Sequence, residues 1–356
     1  MTTPLSIPTT PDDLTASWTT AMLREAGHEV AVRAVAVSPI GTGQMASSLR
    51  VSIDYESASA AAPPTVVVKM ASLDPNSRAA GARGAYLREV RYYQLLDVDL
   101  SVATPKSYWS DVDTETHDFA LVLEDMHPAE QGDQIAGCSI EQVEAAAHNI
   151  AGLHAPRWCD ESLFDLDWLT APRADRPASH AELKAIVDMV MPGFIDRYRN
   201  RIDDRHIELL HWFADTVASW LDDDSGPFGL THGDHRLDNL LFNAEDNERP
   251  VTVVDWQTIA VRNPVADISY LLGTSVEADV RRNIERRIVA DYHQRLTELG
   301  VADYSADDCF EDYRRQTPHS LMLTVLGSML TVQTDRGDDM FMAMLHRSAE
   351  QMFELL

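Results

Sequence analysis

The sequence predicts an α+β protein of two lobes, a small antiparallel sheet at the N-terminal end followed by a larger, mainly helical part. Three observations lead there. Strand-like runs rich in β-branched residues gather in residues 1–125, and helical spacing of apolar residues dominates 126–356. The 356 residues also exceed what one core organises, roughly 250 to 300, so two lobes sharing a cleft follow.

Taken in order, Asp12 and Asp13 are placed to cap a helix that Gly27 ends, and 30–37 reads as a strand leading into Pro39-Ile40-Gly41-Thr42-Gly43. Residues 49–55 alternate apolar and polar, 57–64 is a loop of small residues, and Thr65-Val66-Val67-Val68-Lys69-Met70 resumes as a strand. Helical spacing over 83–96 and strands at 107–111 and 119–124 complete a sheet with one helix laid against it. Beyond Asp125 the composition turns to Gly, Pro and polar residues through Gly137, which sets the lobe boundary, 1–125 against 126–356. Helices are expected at 140–154, 181–198, 207–221, 267–272, 280–299, 306–332 and 338–355, with Pro318 kinking or restarting the one that contains it.

The chemistry concentrates in Thr231-His232-Gly233-Asp234-His235-Arg236-Leu237-Asp238-Asn239, and then in Val253-Val254-Asp255-Trp256-Gln257. Metal-assisted phosphoryl transfer needs an oriented base for a hydroxyl and hard oxygen ligands for magnesium. Asp234 suits the base, and Asn239 and Asp255 suit the metal. Leu240, Leu241 and Phe242 anchor the segment after Asn239, and Asp255 ends an apolar, β-branched run that reads as a buried strand.

These residues resemble the protein-kinase template, in which a loop of the H-R-D-x-x-x-x-N type precedes a strand ending in a metal-binding Asp. Gly233 stands where that template has Arg. The wording HGD-x-R-x-D-N is similar to the aminoglycoside phosphotransferase and choline-kinase-like superfamily. LVLEDM at 121–126, VVDWQ at 253–257 and PVADISYLLGTS at 264–275 look most like its ecdysteroid-kinase-like branch. The resemblance runs from Gly41 to Ser275 and implies a protein-kinase-like fold with an ATP- and Mg2+-dependent transfer of phosphate to a hydroxyl of a small-molecule acceptor.

It also implies roles for further positions. Gly41 and Gly43 would let backbone amides approach phosphates, although Gln44 and Ala46 depart from the kinase glycine pattern. Lys69, paired with Glu89, would fix the nucleotide. The carbonyl of Glu124 and the amide of Met126 would meet the adenine edge, which needs an acceptor and a donor about one residue apart. Asp267, placed to cap 268–272, would brace the loop around Asp234, and His154 would support that loop from a helix end. His232 is expected to pack beneath the loop and His235 to face solvent or substrate, rather than to bind a transition metal. Trp256-Gln257 replaces the Phe-Gly of protein kinases and predicts a metal loop that stays fixed. The acceptor pocket would be walled by loops around 158–168 and by helices from Asp307 onward.

Bulk properties narrow the alternatives. The net charge is −28, with 9 Lys and Arg against 16 Asp and Glu in residues 1–125 and 20 against 41 in the remainder. Such a field repels nucleic acid and anionic membrane. Cys138, Cys159 and Cys309 are odd in number and widely spaced, which fits neither a disulfide framework nor a zinc site. No basic N-terminal stretch precedes an apolar one, and the apolar-rich segment 321–332 is too short to span a bilayer, so a cytoplasmic protein is expected. The rival readings are a catalytically inactive nucleotide-binding regulatory protein and a metal-dependent hydrolase.

Overall fold

Alternation in the first third of the chain becomes a five-stranded antiparallel sheet in the computed structural model, which describes residues 5–41, 45–169, 175–223 and 225–356. The chain divides into two units. One comprises Met1–Asp99, Thr104–Pro128 and Asp255–Gln257; the other comprises Leu100–Ala103, Ala129–Val254 and Thr258–Leu356.

In the first unit, α1 (Ala16–Glu25) precedes β1 (Val30–Pro39), β2 (Ala46–Ala58) and β3 (Thr65–Ala71). Two short helices, α2 (Pro75–Gly81) and α3 (Ala85–Arg91), lead to β4 (Ser107–Val112) and β5 (Phe119–Glu124). The sheet order is β1-β2-β3-β5-β4. Period-two burial along β3 sends Val66, Val68 and Met70 into a core with Trp18, Met22, Leu49, Val51 and Trp109, leaving Lys69 on the other face. Two expectations change here. Thr15, not Asp12 or Asp13, caps α1, because its hydroxyl accepts from Trp18 N, while Asp13 closes a separate turn by accepting from Thr9 N and Thr10 N. The helix expected over 83–96 loosens after Arg91 into a π-helical turn, Tyr92–Leu96.

The second unit is mainly helical. Its helices are α4 (Ile140–His154), α5 (Arg176–Tyr198), α6 (Asp204–Leu221), α7 (Val265–Ser275), α8 (Ala278–Glu298), α9 (Ala306–Arg315), α10 (Pro318–Leu330) and α11 (Asp335–Leu355). Short strands β6 (Glu130–Gln131), β8 (Leu240–Phe242) and β9 (Val251–Val253) make one small sheet, and β7 (Gly229–Thr231) pairs with β10 (Ala260–Arg262). The span 306–332 is two helices, since Pro318 starts α10 at a position where the missing N–H is no loss. Every residue of α7 is buried, which makes it the axis on which the unit is packed. Residues of α5, α6, α10 and α11, among them Phe194, Phe213, Leu321 and Leu345, form a separate core cluster in this unit.

Gly152 marks a close approach. The segment before β4 crosses α4 there, with Ser101 N donating to Gly152 O at 3.1 Å, and a Cβ on Gly152 would lie 2.5 Å from Val102 N. Gly152→Ala is therefore expected to destabilise the protein by about 1–3 kcal/mol, as overpacking does. Urea unfolding checks this, and an unchanged midpoint would contradict it.

Candidate functional site

On the face of β3 opposite that core, Lys69 Nζ donates to Glu89 Oε1 at 2.8 Å and to Asp255 Oδ1 at 3.0 Å. Glu89, on α3, is 1% exposed, and its second oxygen accepts from Gln257 Nε2 at 3.0 Å. Burial works against the Lys69 ammonium, but Asp255 and Glu89 outweigh it and its pKa is raised. Burial likewise pushes the Glu89 carboxyl up while Lys69 pulls it back. One cation thus faces two carboxylates, and Asp255 keeps 40% of its side chain exposed.

The segment after β9 is tied into this unit at each residue. Asp255 adopts a left-handed backbone, φ 67°, a conformation that costs about 1–3 kcal/mol outside glycine and persists where neighbours enforce it. Trp256 is fully buried and stacks on Tyr92, ring centroids 3.7 Å apart and planes 9° from parallel. Gln257 is the residue bonded to Glu89. Sequence reasoning missed this last contact, although a glutamine two positions past the aspartate was a visible signal.

The proposed adenine contacts lie at the end of β5. Glu124 N donates to Lys106 O at 2.8 Å, and Asp125 is gripped by Arg50 at 2.7 and 3.0 Å, so the strand end is fixed. Among the described residues the Met126 N–H has no hydrogen-bond partner. Gly41 has φ +69° and open space around it. Gly43 lies outside the described residues.

The second unit carries the Asp234 loop. Asp267 sits in the first turn of α7, which begins at Val265, so it caps nothing at 268. Its carboxylate instead accepts from His232 N at 2.6 Å and Gly233 N at 2.9 Å. His154 Nε2 holds the same carboxylate at 3.1 Å, and its Nδ1 lies 2.7 Å from the Tyr292 hydroxyl. Burial alone would raise the Asp267 carboxyl; the hydrogen bond and charge of His154 win, and it stays far below the usual carboxylate range. Gly233 takes φ 82°, and a Cβ there would meet Thr258 O at 2.6 Å, so the backbone tolerates no side chain at this position.

Held in this way, Asp234 receives the Tyr270 hydroxyl at 2.8 Å on Oδ1 and Asn239 Nδ2 at 2.9 Å on Oδ2. Arg236 Nε lies 3.0 and 3.2 Å from the two oxygens. Asn239 Nδ2 also donates to Asp234 O at 2.8 Å, which leaves its Oδ1 as the atom for an external cation. Tyr270 and Arg236 were not anticipated. Tyr270 follows Asp267 by three positions and so shares its helix face, which was legible in hindsight. His319, whose Nε2 donates to Gly233 O at 2.8 Å from 86 positions away, left no local signal.

His232 packs beneath the loop as expected, with Nε2 3.1 Å from Val254 O. His235 does not face solvent or substrate. It is fully buried, which pushes its pKa down to about 3, because an apolar setting disfavours the imidazolium. Among the described residues no group of three or more His, Cys, Asp and Glu is placed to hold a metal. A magnesium ion bound mostly through phosphates and water needs only one or two protein oxygens, and Asn239 and Asp255 are chemically of that kind.

A cavity of about 290 Å³ also lies in the second unit, lined by Phe164, Trp220 and Phe228 together with Asp312, Arg315 and His319. Its walls draw on the 158–168 loop and the helices beyond Asp307, and also on the end of α6, residues 225–228 and β10, which the sequence reading did not include. His319 links it to Gly233.

Comparison with known proteins places this arrangement. The likeness in solved structures is to Plasmodium vivax ethanolamine kinase (12% identity, 88% of this chain and 81% of that one, TM-score 0.56) and the GDP complex of aminoglycoside 2'-phosphotransferase-IIIa (13%, 94% and 99%, TM-score 0.54). Choline kinase from Cryptosporidium parvum is similar as well (12%, 89% and 88%, TM-score 0.52). These likenesses establish the two-lobed α+β kinase-like fold. Matches to curated proteins are short. A stretch of 64 residues is 33% identical to a probable acyl-CoA dehydrogenase of Arabidopsis thaliana, 18% of this chain and 7% of that protein. One of 63 residues is 36% identical to acyl-CoA dehydrogenase family member 11 of Gallus gallus, 18% and 8%. The chain thus matches less than a tenth of either relative. No described helix is long and apolar enough to cross a membrane. The model of the ecdysteroid kinase-like family matches residues 41–302, well over half the sequence, and the chain belongs to that family.

Proposed function

We propose that this protein is an ATP-dependent small-molecule kinase, transferring the γ-phosphate of ATP to a hydroxyl of a small-molecule acceptor. Family and fold support a small-molecule kinase. The observation that carries the finer reading is the Asp234 carboxylate, oriented by Tyr270, Arg236 and Asn239 on a loop that Asp267 pins. In this reading Asp234 orients the acceptor hydroxyl and takes its proton, and Lys69, fixed by Glu89, holds the phosphates of the nucleotide. Gly41 and Gly43 would cover those phosphates, and Glu124 and Met126 would meet the purine. Asn239, through Oδ1, is a proposed magnesium ligand, and Asp255 is a second one. Magnesium, when bound, neutralises charge on the phosphates. The cavity beside Trp220 and His319 is proposed to take the acceptor, and a cytoplasmic setting suits ATP as donor.

Asp234→Ala is expected to lower turnover about 10²–10⁴-fold with any accepted alcohol while leaving nucleotide affinity intact. Coupled assay of ADP release, with a thermal shift for binding, reads both, and full turnover in the variant would remove Asp234 from the reaction. Asp255→Asn is expected to shrink the thermal shift that wild-type protein shows on adding Mg-ATP, since ligand stabilisation scales with affinity. A shift of wild-type size would contradict the metal role.

A further inference from the structure

An ionised carboxylate offers about two lone-pair positions on each oxygen. At Asp234 three donors of the chain are spread over both oxygens: Oδ1 takes Tyr270, Oδ2 takes Asn239, and the single Nε–H of Arg236 is shared between the two. A substrate hydroxyl can give its proton to Asp234 only where a lone pair is open. A hydroxyl that docks where these donors now sit needs one of the three to give way.

The three are not equally able to do so. Tyr270 is 1% exposed on α7, with its ring edge-on to His319 at 5.4 Å, so its hydroxyl has nowhere to go. Asn239 Nδ2 is divided between Asp234 Oδ2 and Asp234 O, and turning it away breaks two bonds. Arg236 holds Asp234 with one N–H shared over two oxygens, the longest contacts of the set. Its Nη1 is tethered separately, to Asp238 Oδ2 at 2.8 Å and to the Met340 sulfur at 3.1 Å. Among the described residues Nη2 has no hydrogen-bond partner. Asp238 is itself anchored by Gln134 N at 3.1 Å.

We propose that Arg236 is a displaceable latch on Asp234: the acceptor hydroxyl takes the place of its Nε–H, and the released guanidinium, still tethered to Asp238, moves onto the phosphoryl group being transferred. This rests on the phosphotransfer reading above. In the step itself the hydroxyl oxygen bonds to the γ-phosphorus, and the bond from that phosphorus to the β,γ-bridging oxygen breaks, its electron pair leaving on ADP. The hydroxyl proton passes to Asp234. Arg236 neither gains nor loses a proton. A guanidinium suits a phosphoryl group because its planar donors match the oxygen geometry. Until an acceptor arrives, the latch also keeps Asp234 from orienting water.

The test compares wild-type protein, Arg236→Ala and Arg236→Lys with Mg-ATP and a panel of ethanolamine, choline, kanamycin and ecdysone. A thermal shift with Mg-ATP confirms that each variant folds and binds nucleotide. With the latch removed, Arg236→Ala is expected to show an acceptor KM lowered up to about tenfold, as one charged hydrogen bond no longer has to be displaced. Its kcat is expected to fall about 10²-fold, the scale of losing one donor to transition-state charge. Added guanidinium chloride should restore part of that kcat, and Arg236→Lys should retain more of it than Arg236→Ala. A KM that is unchanged or raised, with kcat lowered and no recovery by guanidinium, would make Arg236 a fixed brace and overturn the latch while leaving phosphotransfer in place. Wild-type protein that is stabilised by Mg-ATP yet phosphorylates none of the alcohols would remove the reading and the latch together.

Discussion

Asp267 has no water to turn to. Its side chain is fully buried, and its two oxygens are taken by the backbone N–H groups of His232 and Gly233 and by the imidazole of His154. An unpaired carboxylate in that position costs several kcal/mol, on the order of 3–5 by the standard of broken buried pairs, so the loop is obliged to present those two N–H groups to it. Three residues later on the same helix, Tyr270 reaches Asp234. One rigid element, α7, therefore sets both the backbone on which Asp234 stands and the direction its carboxylate faces. Gly233 follows from the same constraint, because the left-handed turn and the closeness of Thr258 O leave no room for a Cβ.

The first unit answers the same problem with a different carboxylate. Glu89 is buried and satisfied by Lys69 on one oxygen and Gln257 on the other. Protein kinases follow the metal-binding Asp with Phe-Gly, and glycine there allows the backbone to switch. Here Trp256 is sandwiched on Tyr92 and Gln257 is committed to Glu89, so moving Asp255 would unstack an indole and uncover a buried charge. The chemistry of the substitution, rather than its location, argues that Asp255 stays where Lys69 meets it. No regulatory swing of this segment is needed to assemble the Lys69 contacts.

Fold class and family were legible in the sequence because both rest on local pattern. β-branched runs such as Val66-Val67-Val68 become central strands, and the HGD loop with VVDWQ carries the family. The pairing of Lys69 with Glu89 was also within reach, since strand lysine and helix glutamate follow in a familiar order. The misses have physical reasons. Thr15 displaced Asp13 as the helix cap because Asp13 had nearer backbone N–H groups to satisfy. His235 was expected outside because a histidine beside a reactive Asp invites a functional reading, yet the loop turns its ring into the interior. Arg236 and His319 act through contacts that depend on tertiary placement, which residue spacing does not record. The cavity beside Trp220 and His319 belongs to the same class, since it is built from segments as far apart as Phe164 and His319.

The most direct measurement is phosphorus-31 NMR of wild-type protein incubated with Mg-ATP and a mixture of alcohols. The account predicts that ADP appears together with an equal amount of a new phosphomonoester. ADP accompanied only by inorganic phosphate, at an enzyme-like rate and whatever alcohol is present, would contradict it.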